Sequence, residues 1–129
     1  ERGLILVYAD LDRLKQINDT YGHPEGDQAL VQTAQILERT FRASDILARL
    51  GGDEFAALAV RGSTEGVKAI PQRLHKAVAD ANAQARRPYE ISISIGSMYF
   101  EPNTRLTVED MMTKADQAMY EQKRKKRHH

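Results

Sequence analysis

Acidic side chains stand at two points of this sequence where the flanking residues predict the end or the start of a β-strand. Asp10 and Asp12 follow a run of apolar residues, and Asp53 and Glu54 follow a pair of glycines. Acids are poor strand formers, so carboxylates at these places need a physical reason. They are either solvated residues at exposed turns or ligands for a metal ion beside a phosphate-bearing substrate. Each motif taken singly leaves both interpretations open.

Metal binding is the chemistry that these carboxylates support if the fold brings them together. Neighbouring carboxylates repel each other unless a cation or a proton compensates their charge. Mg²⁺ takes oxygen ligands, usually one or two carboxylates with water and substrate phosphates, and the backbone carbonyl of Leu11 would add another oxygen. Ions held in this way activate an attacking hydroxyl and stabilise charge on a phosphoryl group. The alternative for Asp10 and Asp12 is a helix N-cap and an exposed acid.

The apolar pattern predicts the elements that would position these residues. One continuous apolar run predicts a strand buried on both faces, and two strand-like runs around the glycine pair predict a β-hairpin. Apolar residues spaced three and four apart predict the helices. The predicted strands are 4–9, 45–48, 55–60 and 89–97; a short helical turn is predicted at 13–19, and longer helices begin near Asp27, Ser63 and Thr107. The last of these has a sequence at 107–110 that resembles a capped helix start.

The order strand, helix, strand, strand, helix, strand, helix predicts the fold class. It is the βαββαβ pattern of an α+β, ferredoxin-like fold with a central antiparallel sheet, flanking helices and an added C-terminal helix. In this topology the first strand lies in the centre of the sheet beside the hairpin. The end of that strand then meets the hairpin tip, which would place Asp10 opposite Asp53.

Local patterns add five smaller predictions. Residues 21–26 are rich in loop-forming residues, and Asp27 would then be the N-cap of the next helix. Pro71 predicts an irregularity in its helix, and Gly96 predicts a bulge or a close approach of backbone. The apolar stripe near the C-terminus predicts core packing and not a ligand site; its members are Met111, Met112, Ala115, Ala118 and Met119.

Composition limits the classes of function. The 129 residues predict one domain, which we expect in the cytoplasm because the chain has no cysteine and no apolar run long enough to span a membrane. The net charge is +1, so the sequence predicts no general binding to nucleic acid. Because no apolar run is long enough, it also predicts no membrane contact by this domain. The basic residues concentrate at 123–127. The final His128 and His129 resemble the remnant of a purification tag.

Several motifs in order resemble the GGDEF-type diguanylate cyclases. The resemblance covers nearly the whole chain, and it implies the palm-like fold of nucleotidyl cyclases and polymerases. The matching segments are DLDRLKQINDTYGH at 10–23 with Gly26-Asp27, RLGGDEF at 49–55, Ser94-Ile95-Gly96, and ADQAMY at 115–120 with Lys123.

The resemblance implies an enzyme that condenses two GTP into cyclic di-GMP and releases pyrophosphate. It implies that Asp10, Asp53 and the Leu11 carbonyl bind Mg²⁺ or Mn²⁺, and that Asp53 also acts as the base for the ribose 3′-hydroxyl. Glu54 would assist an ion. Lys15 would stabilise charge on the phosphates as a point charge. The alternative for Lys15 is a surface lysine on a short helix.

The resemblance also assigns residues to GTP. Asn18 and Asp27 match the pair that reads guanine, whose N1–H and exocyclic amine suit a carboxylate; Asp27 would otherwise be only an N-cap. Gly51 and Gly52 would leave room for phosphate. Two basic residues, Lys123 and Arg127, match positions that reach the phosphates. The family has Gly before this Arg and Asn after it, where this chain has Lys126 and His128. A solvated basic helix end is therefore the alternative for Arg127.

A product-inhibition site is implied by Arg42 and Asp45. They fit the family's R-x-x-D motif at the expected interval before Gly51, and Arg73 would supply a second arginine from the following helix. Guanidinium groups grip phosphate or guanine oxygens, and Asp accepts from a guanine edge. The plain alternative is a helix end followed by a loop acid.

The resemblance also implies a longer protein and a dimeric assembly. The family usually has a further helical segment before the first strand, so we expect a fragment of a longer protein with a sensory or partner domain. Each site would hold one GTP, so turnover would need a homodimer. The alternative function, from a different class, is a regulatory module that binds GTP or cyclic di-GMP with little or no turnover. A nucleic-acid binder that uses the basic tail has little support, because aromatic residues are few.

Overall fold

The computed structural model describes residues 3–61 and 63–127, except for the side chain of residue 127. In the described part of the chain, no helix is both long and apolar enough to cross a membrane. The elements, in chain order, are β1 (Gly3–Leu11), α1 (Leu14–Tyr21), α2 (His23–Thr40), β2 (Ile46–Gly51), β3 (Glu54–Arg61), α3 (Gly66–Gln84), β4 (Ile93–Phe100) and α4 (Val108–Arg127).

The four strands form one sheet in the order β2-β3-β1-β4, and every pair of neighbouring strands is antiparallel. This topology confirms the predicted α+β, ferredoxin-like architecture with an added terminal helix. Strand β1 lies between β3 and β4, and Asp10 is paired in register with Glu54 on one side and with Ser94 on the other. The end of β1 therefore lies beside the tip of the β2–β3 hairpin.

Helices cover both faces of β1, as its continuous apolar sequence predicts. On one face Ile5, Val7 and Leu11 belong to a core built with α2 and α3. On the other face Leu6 and Tyr8 pack against α4. The residues of α4 in this second core are Met111, Ala115 and Met119. Met112 packs against this core as well, so the predicted apolar stripe of α4 is core except at Ala118, which is half-buried.

Two local predictions about β4 and α4 are confirmed. A Cβ atom on Gly96 would overlap the backbone of α4 at Ala115 and Met119, so this glycine permits a close approach of helix to strand. Helix α4 begins with reciprocal capping, in which the Asp110 amide donates to Thr107 Oγ1 at 3.0 Å and the Thr107 amide donates to Asp110 Oδ2 at 3.2 Å.

Two elements, α2 and β4, begin at residues that differ clearly from the prediction. Helix α2 begins at His23, with Gly22 at the N-cap position and Pro24 in the first turn, so residues 23–26 are helical and Asp27 is not an N-cap. Gly22 has φ 96°, which allows the chain to leave α1 and start α2 within one residue.

Strand β4 begins at Ile93 and not at Tyr89. The reason is that the Ile91 amide donates to Asn82 Oδ1 at 2.8 Å, and the Ile91 carbonyl accepts from Asn82 Nδ2 at 2.8 Å. Both backbone groups of Ile91 are thus satisfied by a side chain of α3 outside the strand ladder. Helix α3 continues through Pro71 without ending there.

Candidate active site

The end of β1 and the tip of the hairpin are in contact, which brings Asp10 and Asp53 together. The Leu11 amide donates a hydrogen bond to the Asp53 carbonyl at 3.1 Å. Asp10 is only 7% exposed, and burial raises its pKa to about 6. The hydrogen bond from Lys123 opposes this rise, whereas the neighbouring Asp53 carboxyl adds to it. The site therefore disfavours negative charge unless a further cation is present.

The oxygen atoms around Asp10 are suitable ligands for a divalent cation. Its Oδ1 atom is buried and has no hydrogen-bond partner, which costs free energy unless a cation or a donor occupies that side. No group of three or more His, Cys, Asp or Glu residues in the described part of the chain is arranged to hold a metal. An ion here would therefore rely on Asp10, Asp53 and a backbone carbonyl such as that of Leu11. Its remaining ligands would be water and phosphate oxygens, as is usual for Mg²⁺.

Two lysines of α4 reach the end of β1. Lys123 Nζ lies 2.6 Å from Asp10 Oδ2 and 3.9 Å from Asp12 Oδ1. Lys126 Nζ lies 2.8 Å from Asp12 Oδ2. Lys123 was predicted to approach phosphate, and the structure places its ammonium group beside a carboxylate that is predicted to bind the metal.

The alternative interpretation of Asp12, as an N-cap or an exposed acid, is wrong. Asp12 is 7% exposed, and it accepts hydrogen bonds at 2.7 Å from both Ser92 Oγ and Ser94 Oγ in addition to the bond from Lys126. Burial alone would raise the pKa of Asp12, but hydrogen bonds from Lys126, Ser94 and Ser92 outweigh burial and lower it. The sequence carries no signal for this network, since its serines lie some eighty positions from Asp12.

The glycine turn is open and is held by an arginine. The Arg49 guanidinium donates through Nη2 at 2.6 Å and through Nε at 3.1 Å to the Gly52 carbonyl. Gly51 has φ 147° and Gly52 has φ 46°, and a Cβ atom on either residue would meet no atom within 4 Å. Backbone conformation therefore requires these glycines, and the space around them is free. Glu54 begins β3 at this turn and is exposed.

The two residues predicted to read guanine lie on either side of Gly26. A Cβ atom on Gly26 would overlap the Asn18 side chain, whose Oδ1 atom is buried without a hydrogen-bond partner. Asp27 is exposed on α2 and lines an open cavity of about 240 Å³ with Arg49 and Phe55. The apolar wall of this cavity is completed by Leu30, Val31 and Ala34.

The structure gives fewer details for the two other residues that were predicted to bind substrate, Lys15 and Arg127. Lys15 is exposed on α1. Helix α4 extends to Arg127, which puts this residue one turn after Lys123, but the Arg127 side chain lies outside the described residues. His128 and His129 also lie outside them. The predicted roles of Lys15 and Arg127 remain predictions.

The R-x-x-D segment forms a compact turn, and its Asp45 is paired with an arginine from outside the segment. Both oxygens of Asp45 accept hydrogen bonds at 2.9 Å from the Arg61 guanidinium, and Oδ2 also accepts from the Arg42 amide at 2.8 Å. The hydrogen bonds from Arg61 lower the pKa of Asp45 against the effect of its burial. The Arg42 side chain is exposed, and Arg73 is exposed on α3 with no hydrogen bond to Arg42 or Asp45 among the described residues.

Known proteins resemble this chain in sequence and in fold. The sequence model described as "Diguanylate cyclase, GGDEF domain" matches residues 1–129. The probable diguanylate cyclase DgcT of Escherichia coli is 36% identical over 121 residues, which cover 92% of this chain and 26% of DgcT. The diguanylate cyclase DgcP of Pseudomonas aeruginosa is 37% identical over 122 residues, which cover 94% of this chain and 18% of DgcP. The chain therefore spans only a minor part of these relatives.

Solved structures give the same assignment. The GGDEF domain of PA1120 (YfiN or TpbB) from Pseudomonas aeruginosa has a TM-score of 0.83 and 36% identity, covering 96% of this chain and 78% of that one. The GGDEF domain of DgcB from Caulobacter crescentus, solved in complex with c-di-GMP, has a TM-score of 0.80 and 27% identity, covering 95% and 73%. Family match, sequence relatives and fold agree with the motifs around Asp10 and Asp53, and the chain belongs to the GGDEF domain family of diguanylate cyclases.

Proposed function

We propose that this domain is a diguanylate cyclase, which joins two GTP molecules into cyclic di-GMP and releases two pyrophosphates. The observation that carries the proposal is the meeting of Asp10 and Asp53 at the end of β1, where one buried carboxylate oxygen has no partner. Such a site attracts a divalent cation beside an open glycine turn that has room for phosphate. The naming of several relatives as diguanylate cyclases supports the same activity.

The residues would divide the work as follows. Asp10, Asp53 and the Leu11 carbonyl hold Mg²⁺ or Mn²⁺, with Glu54 near enough to the turn to assist. When bound, the ion acidifies the ribose 3′-hydroxyl and compensates charge at the α-phosphate. Asp53 accepts the hydroxyl proton, although a metal-bound carboxylate is a weak base and the proton transfer contributes less than the charge compensation.

The chain's cations and glycines hold the triphosphate. Gly51 and Gly52 leave space for it, and Lys15 and Lys123 offset its charge, with Arg127 in the same role. The 3′-oxygen of one GTP forms a bond to the α-phosphorus of the other, and the bond from that phosphorus to pyrophosphate breaks. The same step in the opposite direction closes the ring.

We propose that guanine is the base bound beside Asp27. Its N1–H and exocyclic amine are adjacent donors, which a carboxylate accepts together, while the unpartnered Asn18 amide oxygen lies across Gly26. Apolar residues of α2 and Phe55 would contact the faces of the ring. Adenine lacks this pair of donors and would leave the Asp27 carboxylate unpaired.

Two domains would be needed for turnover, because each site holds one GTP and the hydroxyl comes from the other. We propose an antiparallel homodimer that is brought together by a sensory or partner domain of a longer protein. Three of the relatives are about three to five times as long as this chain, since the match covers only 18–33% of their length. Because GTP is an intracellular nucleotide, we place the domain in the cytoplasm.

Product inhibition is the regulation that we propose for the R-x-x-D turn. Arg42 presents an exposed guanidinium, and Arg73 is a candidate second arginine on α3. The c-di-GMP complex of the DgcB domain supports binding of this product by the fold. Asp45 would hold the turn in place through its hydrogen bonds with Arg61. It would be available to the ligand only if the ligand displaces Arg61.

A forced dimer provides the test of catalysis. The chain is fused to a parallel leucine zipper, incubated with GTP and Mg²⁺, and the products are separated by chromatography. We expect cyclic di-GMP and two pyrophosphates for each product molecule, and no cyclic product from ATP. If the dimer binds GTP but forms no cyclic di-GMP, the domain is instead a regulatory module that binds nucleotide without turnover.

A further inference from the structure

Lys126 lies at a junction of three elements beside the active site. Its Nζ donates to Asp12 Oδ2 at 2.8 Å and to Ser92 Oγ at 3.4 Å, and it also donates to the Ile93 carbonyl. Asp12 directly follows the last residue of β1, Ser92 directly precedes β4, and Ile93 is the first residue of β4. One ammonium group therefore connects the last turn of α4 to both neighbouring strands.

Two buried carboxylates and two lysines are matched one to one at this place. Asp12 lies 2.8 Å from Lys126 but 3.9 Å from Lys123, whereas Lys123 lies 2.6 Å from Asp10. The lysines are three positions apart, so they share one face of the helix. Because Lys126 satisfies Asp12, Lys123 is not required there.

Few other contacts hold this end of α4. The Gln122 side chain accepts a hydrogen bond from the Ile95 amide at 2.6 Å, one turn before Lys126. After Gln122, the hydrogen bonds that join described residues of α4 to the sheet come from Lys123 and Lys126 alone. If Lys123 leaves Asp10 for a phosphate, Lys126 is the remaining polar connection beyond Gln122.

We propose that Lys126 is a positioning residue, which anchors the last turn of α4 to Asp12 so that Lys123 can exchange Asp10 for the phosphates of GTP. This role rests on the proposed cyclase function and adds a residue to it.

Three variants of the forced dimer test the role through kinetics. Lys126→Gln removes the charge, Lys125→Gln removes an equal charge from the exposed neighbouring position, and Lys126→Arg keeps a cation. We expect Lys126→Gln to raise the KM for GTP about tenfold, a loss of ~1.4 kcal/mol in binding, and to leave kcat unchanged. Lys125→Gln should match the parent dimer, and Lys126→Arg should restore most of the affinity.

A double-mutant cycle tests whether Lys126 acts through Asp12. If the pair is the anchor, Asp12→Asn and Lys126→Gln together raise KM no further than the more severe single change. Additive effects on KM would overturn the proposal, as would an unchanged KM in Lys126→Gln. A fall in kcat alone would also overturn it, because the lysine would then act in the chemical step.

Hydrogen exchange separates failure of this proposal from failure of the proposed function. Amide protection at residues 122–126 is measured by NMR or mass spectrometry on the dimer, without any assay of turnover. We expect Lys126→Gln to lower protection there about tenfold, and Lys125→Gln to leave it unchanged. Unchanged protection in Lys126→Gln would overturn the anchor even in a fully active enzyme. If the parent dimer makes no cyclic di-GMP but Lys126→Gln still lowers protection, the anchor is supported and the cyclase function is rejected.

Discussion

Two buried carboxylates each lie against a basic side chain: Asp10 at the candidate active site and Asp45 in the R-x-x-D turn. They differ in whether a carboxylate oxygen is left free to bind a ligand. Asp10 has one oxygen bonded to Lys123 and one buried oxygen without a partner. Asp45 has both oxygens bonded to Arg61, and its side chain is 1% exposed. The pKa of Asp10 is raised to about 6, whereas the pKa of Asp45 is lowered.

The difference shows that proximity to a cation does not by itself define the role of an acid. A planar guanidinium supplies two donors in the geometry of a carboxylate, so Arg61 saturates Asp45 and makes it a fixed part of the loop. A single ammonium group leaves half of Asp10 unsatisfied in a poorly solvated place. Asp10 is therefore suited to a further cation, and in the R-x-x-D turn the Arg42 side chain is the group left for a ligand.

The strongest test of the comparison removes the acid that faces Asp10. Asp53→Ala should lower the turnover of the forced dimer by about a thousandfold or more, because the ion loses a ligand and its activation of the hydroxyl. Cyclic di-GMP formation is measured over time at saturating GTP. Asp80→Ala, an exposed acid on α3, is the control and should retain turnover. Parental activity in Asp53→Ala would make the metal assignment wrong.

Removing the guanidinium from Asp45 should act on stability. Arg61→Gln leaves a buried carboxylate without its cation, and we expect the free energy of unfolding to fall by about 3 kcal/mol, as measured by urea denaturation. Arg105→Gln, at an exposed arginine, should change it by less than about 0.5 kcal/mol. Equal stabilities for the two variants would show that Asp45 is not held by Arg61.

The exposed arginine of the same turn should act on ligand binding and leave stability unchanged. Arg42→Ala keeps the backbone amide that donates to Asp45, so the turn remains intact while its free guanidinium is lost. We expect calorimetry to show about tenfold weaker binding of cyclic di-GMP, a change of ~1.4 kcal/mol. Turnover in the absence of added product should be that of the parent dimer. Unchanged product affinity would remove Arg42 from the proposed inhibitory site.

The raised pKa of Asp10 predicts the smallest effect, on the pH dependence of stability in the presence of a chelator. A carboxyl with a pKa of about 6 in the fold and 3.8 as its ordinary value binds its proton more tightly in the folded protein. Its contribution to stability therefore falls as pH rises from 4 to 6. Asp10→Asn should thus stabilise the protein by about 1 kcal/mol more at pH 7 than at pH 5, as measured by urea denaturation. A difference of the opposite sign would show that the Lys123 ion pair dominates.

Much of the fold could be predicted because its signals are local. The continuous apolar run of β1, the Gly-Gly turn and the capping residues Thr107 and Asp110 each specify an element with few neighbours in sequence. The order of these elements then limits the sheet to a topology in which Asp10 lies near the hairpin tip. The start of α2 was predicted wrongly because Gly22 and Pro24, which usually mark a loop, here act as the N-cap and first turn of a helix.

By itself, the sequence determined the element order, the family motifs and the position of the acids at the end of β1. Only the tertiary structure decided which of those acids are already satisfied. Asp12 is satisfied by Ser92, Ser94 and Lys126, Asp45 is satisfied by Arg61, and Asp10 keeps an unpartnered oxygen. The physical reason is that a buried carboxylate depends on the number and geometry of donors within about 3 Å, and those donors come from segments distant in the chain.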